Sequence, residues 1–233
     1  MVIHFLTNFA IAAAVIPLGT QSSMDLKSID DQIVALANES SSARMSLIAK
    51  YKQEYLNTKS LNSVFRFVDS TYRLLDGISP EKTLSIRKEA YGVTKTFKAK
   101  DRYFTGAKVG LAVEIGLEKD VIEDAAWLMK SFPDQSFFRY RYLQCAVLGA
   151  DSHKNSKTFL MMSGQLVKAE PNTVRYLILD AFLNNVYADS KDQVRLAIQK
   201  YETCLTHKLT SRQLEYVNFH LASARKSIGL LKK

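Results

Sequence analysis

VIEDAAWLMK (121–130), FLMMSGQLVK (159–168) and AIQKYETCLT (197–206) are the three stretches that decide the fold. They begin at a constant interval of 38 residues (159 − 121 = 197 − 159 = 38) and share apolar residues at their first, second, eighth and ninth positions. We call a set of residues related by this interval a column. Because apolar residues recur with the period of an α-helix, each stretch predicts a helix with one buried face.

A second set of apolar columns follows each stretch at the same interval. These columns are Phe138/Tyr176/Leu214, Tyr140/Ile178/Tyr216, Leu143/Ala181/Phe219, Cys145/Leu183/Leu221 and Leu148/Val186/Ala224. Pro133 and Pro171 separate the two sets, and a helix must end before a proline of this kind. Each period therefore predicts two helices. The expected hairpins cover about 101–131, 134–169 and 172–207, and a single helix over 210–228 caps the last pair.

The region before the repeats also has helical periodicity, and no stretch of the chain alternates like a strand. Gly106 and Gly110 stand four residues apart in the predicted helix 103–115, which indicates a close helix contact. We expect extra helices over 23–99 and the repeat region over 100–233, in a chain whose apolar content of 47% is sufficient for a core.

The N-terminal segment is typical of an export signal. FLTNFAIAAAVIPLG (5–19) carries no charge and is followed by small polar residues. We predict that 1–22 is cleaved and that the protein is periplasmic or secreted. The alternatives are a retained membrane anchor and an ordinary helix of a cytoplasmic protein. No other stretch could span a bilayer, which takes about 20 apolar residues.

The two cysteines, Cys145 and Cys204, occupy apolar columns and are predicted to be buried, free thiols. Asn38-Glu39-Ser40 matches the acceptor motif for N-glycosylation, which has meaning only in a eukaryotic secretory route.

The charge balance favours an acidic partner. The chain has 32 Lys and Arg against 23 Asp and Glu, a formal net charge of +9. The basic residues are spread along the chain, so a solvated surface is the simplest interpretation. A nucleic-acid or anionic-surface binder remains the alternative function.

No motif for catalysis, metal binding or a cofactor is complete in the sequence. The four histidines have no ligand-like spacing to one another or to the cysteines. Adjacent acids such as Glu123 and Asp124 point to different sides of a helix. We therefore expect a non-enzymatic protein with no cofactor, no metal and no small-molecule substrate.

The segment from Lys119 to Ile228 resembles the tetratricopeptide-like class of helical repeats. The resemblance is carried by the helix pairs, by Pro133 and Pro171 at the ends of second helices, and by apolar steps such as Val121-Ala125-Leu128. It implies an all-α fold, a right-handed array of antiparallel helix pairs (an α-solenoid) with extra N-terminal helices. It also implies a protein adaptor whose inner surface binds a peptide or a partner helix.

One choice of inner face on the first helices gives nine candidate partner-binding residues. They are Phe137, Tyr140, Gln144, Arg175, Ile178, Phe182, Gln213, Tyr216 and His220. The stretch FFRYRY (137–142) interleaves rings with arginines. We expect Phe138 and Tyr140 to pack in the core and the side chains of Arg139 and Arg141 to reach outward to solvent.

Overall fold

The computed structural model describes residues 23–75, 78–97, 100–149 and 152–228. Within these ranges the protein is all-helical, as predicted, with eleven α-helices and no strand. The chain divides into two compact units, of which the first ends at Leu111 and the second begins at Ala112. The predicted export signal, 1–22, lies outside the described residues.

The first unit is built around one buried helix. Its helices are α1 (Ser23–Ala35), α2 (Ser41–Thr58), α3 (Leu61–Leu74), α4 (Pro80–Thr94) and α5 (Arg102–Glu114), the last of which belongs to it as far as Leu111. Helix α3 packs against α1, α2 and α4, and ten of its 14 residues are buried. Its N-terminus is capped by Ser60, whose hydroxyl oxygen accepts a hydrogen bond from the Ser63 backbone N–H at 3.2 Å.

The close contact predicted from Gly106 and Gly110 is present at the second of these residues. A Cβ atom at Gly110 would lie 2.4 Å from Cε2 of Tyr72, a residue of α3. Only glycine allows α5 to approach the Tyr72 ring this closely.

The first unit also brings together three charged residues, of which Asp30 and Asp69 are buried and Arg73 is half-buried. Asp69 lies on α3 with its side chain almost wholly inaccessible, and Nε of Arg73 donates to its two carboxylate oxygens at 3.0 and 3.2 Å. Arg73 forms a second ion pair with Asp30 of α1. One guanidinium group therefore serves two carboxylates and ties α1 to α3.

The second unit contains the repeats. Its helices are α6 (Ile122–Ser131), α7 (Ser136–Ala146), α8 (Ser156–Ala169), α9 (Val174–Val186), α10 (Lys191–Leu205) and α11 (Ser211–Ser227). Helices α6 and α8 end two residues before Pro133 and Pro171, as the prolines predicted. Each helix packs against the next in chain order from α6 to α11. The hairpins α7–α8 and α9–α10 and the single helix α11 agree with the predicted elements, whereas the hairpin over 101–131 spans the two units and stays a prediction.

Most apolar columns form the core of this unit. The columns Val121/Phe159/Ala197 and Leu128/Leu166/Cys204 are buried throughout. One cluster joins α7, α8 and α9 around Leu166 and Tyr176, and the next joins α9, α10 and α11 around Tyr201 and Val217.

Six column residues are exposed: Leu148, Val186, Leu205, Leu214, Tyr216 and Phe219. Exposure is contrary to the core prediction for all six, although Tyr216 was also predicted to lie on the partner-binding face. Leu148 lies beyond the last turn of α7, and Val186 and Leu205 are the last residues of their helices, where neighbouring helices no longer cover them. Leu214 and Phe219 lie on α11, after which the described residues contain no further helix.

A buried carboxylate connects three helices of the second unit. Asp180 on α9 accepts a hydrogen bond from the Ser163 hydroxyl of α8 at 2.6 Å and pairs with Nζ of Lys200 of α10 at 2.5 Å. Nδ2 of Asn184 donates to the same carboxylate at 3.3 Å. Because Ser163 is fully buried, its hydroxyl serves this network and is not accessible as a nucleophile.

Both cysteines are free and buried, as predicted. Burial raises the pKa of the Cys145 thiol to about 12 and that of Cys204 to about 11. Since the thiolate is the reactive form, burial disfavours reaction at either thiol.

Candidate functional site

The nine predicted partner-binding residues lie on three consecutive first helices of the second unit. Helix α7 carries Phe137, Tyr140 and Gln144; α9 carries Arg175, Ile178 and Phe182; α11 carries Gln213, Tyr216 and His220. All nine are partly or fully exposed, although residues next to them along each helix, such as Phe138 and Leu143, are buried. We call these nine residues the inner row. Whether they bind a partner stays a prediction.

At its α7–α9 end, the inner row is a cluster of rings and arginines. The guanidinium carbon of Arg175 lies 5.1 Å from the ring centre of Phe137, 5.9 Å from that of Tyr140 and 5.3 Å from that of Tyr176. The Tyr140 and Tyr176 rings are 5.4 Å apart. Cation–π attraction therefore holds an exposed arginine of α9 over rings of α7, and its ring contacts link two successive helix pairs.

Arg175 is exposed, and a guanidinium group is chemically suited to pair with a carboxylate. Within the part of the chain that the structure describes, it has no carboxylate partner, and its polar contact is with the Tyr176 side chain. Three rings restrict the side chain, so pairing with a carboxylate costs less rotamer entropy than it would for a free arginine.

At its α9–α11 end, the inner row is centred on His220. The imidazole lies 4.3 Å from the Tyr216 ring, 5.3 Å from Phe182 and 5.2 Å from Phe219, measured between ring centres. It also stacks on the buried ring of Tyr201 at 6.2 Å. Burial lowers the pKa of His220 and so disfavours the protonated form of the ring. Burial likewise raises the pKa of the Tyr216 hydroxyl to about 12, with a smaller contribution from Tyr140.

The prediction for Arg141 is wrong. Its side chain is buried with 8% exposure, and its Nη1 donates to Oε1 of Gln144 at 2.8 Å. Its guanidinium carbon lies 5.1 Å from the Phe137 ring centre and 5.8 Å from that of Tyr140. The position belongs to a column with Leu179 and Val217, both buried, so repeat geometry directs it inward.

The neighbouring expectations hold in part. Phe138 is buried in the core, whereas Tyr140 is only half-buried and belongs to the inner row. Arg139 is half-buried, which is compatible with a side chain that reaches outward. Tyr176 and Arg141 also belong to the cluster, although neither was among the predicted partner-binding residues. The column Arg141/Leu179/Val217 is the signal that would have identified Arg141 as an inward-facing charge.

Among the described residues, no group of three or more His, Cys, Asp or Glu side chains is placed to hold a metal ion. A bilayer-spanning helix is likewise not found in the ranges that the structure covers.

Comparison with protein-family models, with curated proteins and with solved structures gave no match to this chain. The resemblance to tetratricopeptide-like repeats stays a prediction.

Proposed function

We propose that the second unit is a right-handed, tetratricopeptide-like array of helix pairs and that the chain is an exported, non-enzymatic adaptor. Its partner is a protein or peptide with acidic residues, which binds along the inner row. The observation that carries the proposal is that nine residues in three repeat columns stay accessible on α7, α9 and α11.

Ring contacts between successive first helices support the array. Arg175 of α9 lies over Phe137 of α7, and Phe182 of α9 lies 6.2 Å from the Tyr216 ring of α11. First helices that contact one another across pairs are what a stacked helical array requires. The row they form offers aromatic side chains and Arg175, which has no carboxylate partner among the described residues; aromatic residues and arginine are the residue types enriched at protein interfaces.

The nucleic-acid alternative uses the same cluster differently. Bases would have to stack on Phe137 and Tyr140, but guanidinium groups of Arg141 and Arg175 already lie over both rings. A base would displace an existing cation–π contact, whereas a carboxylate can pair with Arg175 and leave it in place. The geometry therefore favours a protein partner.

Site-specific photo-crosslinking tests the proposal. A benzoylphenylalanine residue replaces Phe182 in the full chain, and the matched control replaces Met161, an exposed residue of α8. We expect a discrete protein adduct from position 182 in expressing cells, none from position 161, and loss of the adduct when Arg175→Glu is added. An adduct that contains RNA or DNA would establish the alternative, and equal crosslinking at both positions would refute a specific inner row.

Export has its own test. Sequencing of the mature N-terminus of a C-terminally tagged copy should give a start near Ser22 or Ser23. A cytoplasmic protein that still begins at Met1 would contradict export and leave the adaptor proposal intact.

A further inference from the structure

One repeat column is buried twice and exposed at its third position. Leu143 of α7 and Ala181 of α9 have no exposed surface, because the following helices cover them. Phe219 of α11 occupies the same position and is 70% exposed. The column therefore marks a face of α11 that, by the geometry of the repeat, is oriented to receive another element.

The residues around Phe219 differ from those of the preceding repeat. We call Arg212, Glu215, Phe219, Ala222 and Lys226 the outer face of α11; they share one side of the helix and all are exposed. Where α9 has Val174 and Leu177, this face has Arg212 and Glu215. A further helix pair of the array would bury these charges, which is costly. One large apolar side chain inside a polar rim is instead the composition of a docking interface.

The charges on this face indicate the partner's chemistry. Arg212 and Lys226 each stand seven residues from Phe219, about 10 Å along the axis in either direction. Lys226 has no ion pair with any described residue, and Arg212 has only a long contact of 3.8 Å with Glu114. Glu215 is the one acidic residue of the face and stands one turn from Arg212, so the face has two basic residues against one acidic residue, a net charge of +1 (2 − 1 = 1), and its unpaired cation among the described residues is Lys226.

A second copy of the chain fits this pattern less well. If two α11 helices packed antiparallel about Phe219, Arg212 of one would oppose Lys226 of the other, and the four cations of the two faces would meet only the two Glu215 carboxylates, so repulsion would dominate. A partner with carboxylates at those positions has the opposite, favourable sign.

We propose that the outer face of α11 docks an acidic amphipathic helix of another protein. Apolar side chains of that helix pack on Phe219, and its carboxylates pair with Arg212 and Lys226. This surface is distinct from the inner row, since Gln213, Tyr216 and His220 lie about a quarter turn away around α11.

Two designed peptides test the proposal with the full-length protein. Both are amphipathic helices with the same leucine stripe; one has Glu flanking the stripe and the other has Lys at the same positions. We expect saturable binding of the Glu peptide in fluorescence anisotropy and much weaker binding of the Lys peptide. Phe219→Ser should weaken binding at least about tenfold, as expected for an interface hot spot. The double change Arg212→Glu with Lys226→Glu should reverse the preference.

Three controls make the result decisive. Met161→Ser removes another exposed apolar side chain, and Lys168→Glu reverses an exposed charge on α8, outside both the inner row and the outer face, so neither should change binding of the Glu peptide. Circular dichroism establishes that Phe219→Ser remains folded. Equal affinity for the two peptides, no saturable binding, or equal effects of Phe219→Ser and Met161→Ser would overturn the proposal. A dimer in sedimentation velocity that Phe219→Ser dissociates would overturn it in favour of a second copy.

Discussion

Asp180 illustrates how a single buried charge can hold neighbouring helices together. Its carboxylate is almost inaccessible, and its partners come from α8 and α10 on either side of its own helix. Taking a carboxylate out of water is unfavourable unless it is paired and hydrogen-bonded. The network therefore depends on Lys200 more than on the neutral hydroxyl of Ser163.

Removing the ammonium group should cost more than removing the hydroxyl. We expect Lys200→Met to lower the free energy of unfolding by about 3 kcal/mol, because it leaves a buried carboxylate without its cation. Ser163→Ala removes one hydrogen bond and should cost about 1 kcal/mol. Urea unfolding of the full chain measures both. Lys168→Met, at an exposed position of α8, is the control and should stay within about 0.5 kcal/mol of wild type. Equal losses for Lys200→Met and Lys168→Met would show that Asp180 does not need its cation.

Residue-level features divide into those that the repeat predicts and those it does not. Burial of Cys145 and Cys204 follows from their apolar columns. Burial of Arg141 also follows from its column, but a charged residue is normally predicted to be exposed. The correct prediction requires that the position in the repeat be given more weight than the residue type. The pairing of Asp30 with Arg73 joins residues that are distant in sequence and have no repeat relation, so no single-sequence pattern could predict it.

At the scale of the helix, glycine has opposite roles in α5 and α8. Gly110 of α5 faces the Tyr72 ring of α3, whereas a Cβ atom at Gly164 of α8 would have nothing within 4 Å. A glycine-to-alanine substitution therefore tests close packing at position 110 and intrinsic helix propensity at position 164.

Alanine should destabilise one helix and stabilise the other. We expect Gly110→Ala to lower the free energy of unfolding by about 1–3 kcal/mol, because the Tyr72 ring must move. Gly164→Ala should raise it by about 0.5–1 kcal/mol, because alanine restricts the unfolded chain and favours helix. Chemical denaturation provides the values. In a Tyr72→Ala background the cost of Gly110→Ala should disappear, and an unchanged cost would place the steric conflict elsewhere.

Helix positions and ends were predictable, but their exposed faces were only partly so. Periodicity and proline fixed α6 to α11 closely, because both act locally along the chain. The exposure of Phe219 and Leu214 could not be read from their columns, since burial depends on what packs against a helix. The inner row was placed on accessible positions because the face opposite a buried stripe is fixed by the helical period.

At the scale of the whole molecule, each unit contains a titrating side chain with a shifted pKa, and the two side chains respond to pH in opposite directions. Burial raises the pKa of Asp69 in the first unit to about 7, although Arg73 acts against this shift. Burial lowers the pKa of His220 in the second unit. Both shifts disfavour the charged form, but Asp69 becomes charged as pH rises and His220 becomes charged as pH falls.

The stability of the two units should therefore change in opposite directions with pH. Between about pH 4 and 7 the folded first unit binds more protons than the unfolded chain, so its stability should fall by a few kcal/mol as pH rises. In the second unit the unfolded chain binds more protons below about pH 6.5, so stability should fall as pH decreases through the lowered pKa of His220.

Hydrogen exchange of the α3 and α11 amides, corrected for intrinsic rates, can follow both units in one full-length sample. Asp69→Asn replaces the carboxyl by a neutral group of the same shape and should flatten the pH dependence of α3 alone. His220→Gln should flatten that of α11 alone, and Asp31→Asn, at an exposed ion pair with Lys27, should change neither. If protection of α3 instead increased with pH, Asp69 would be stabilised by Arg73 more than it is penalised by burial.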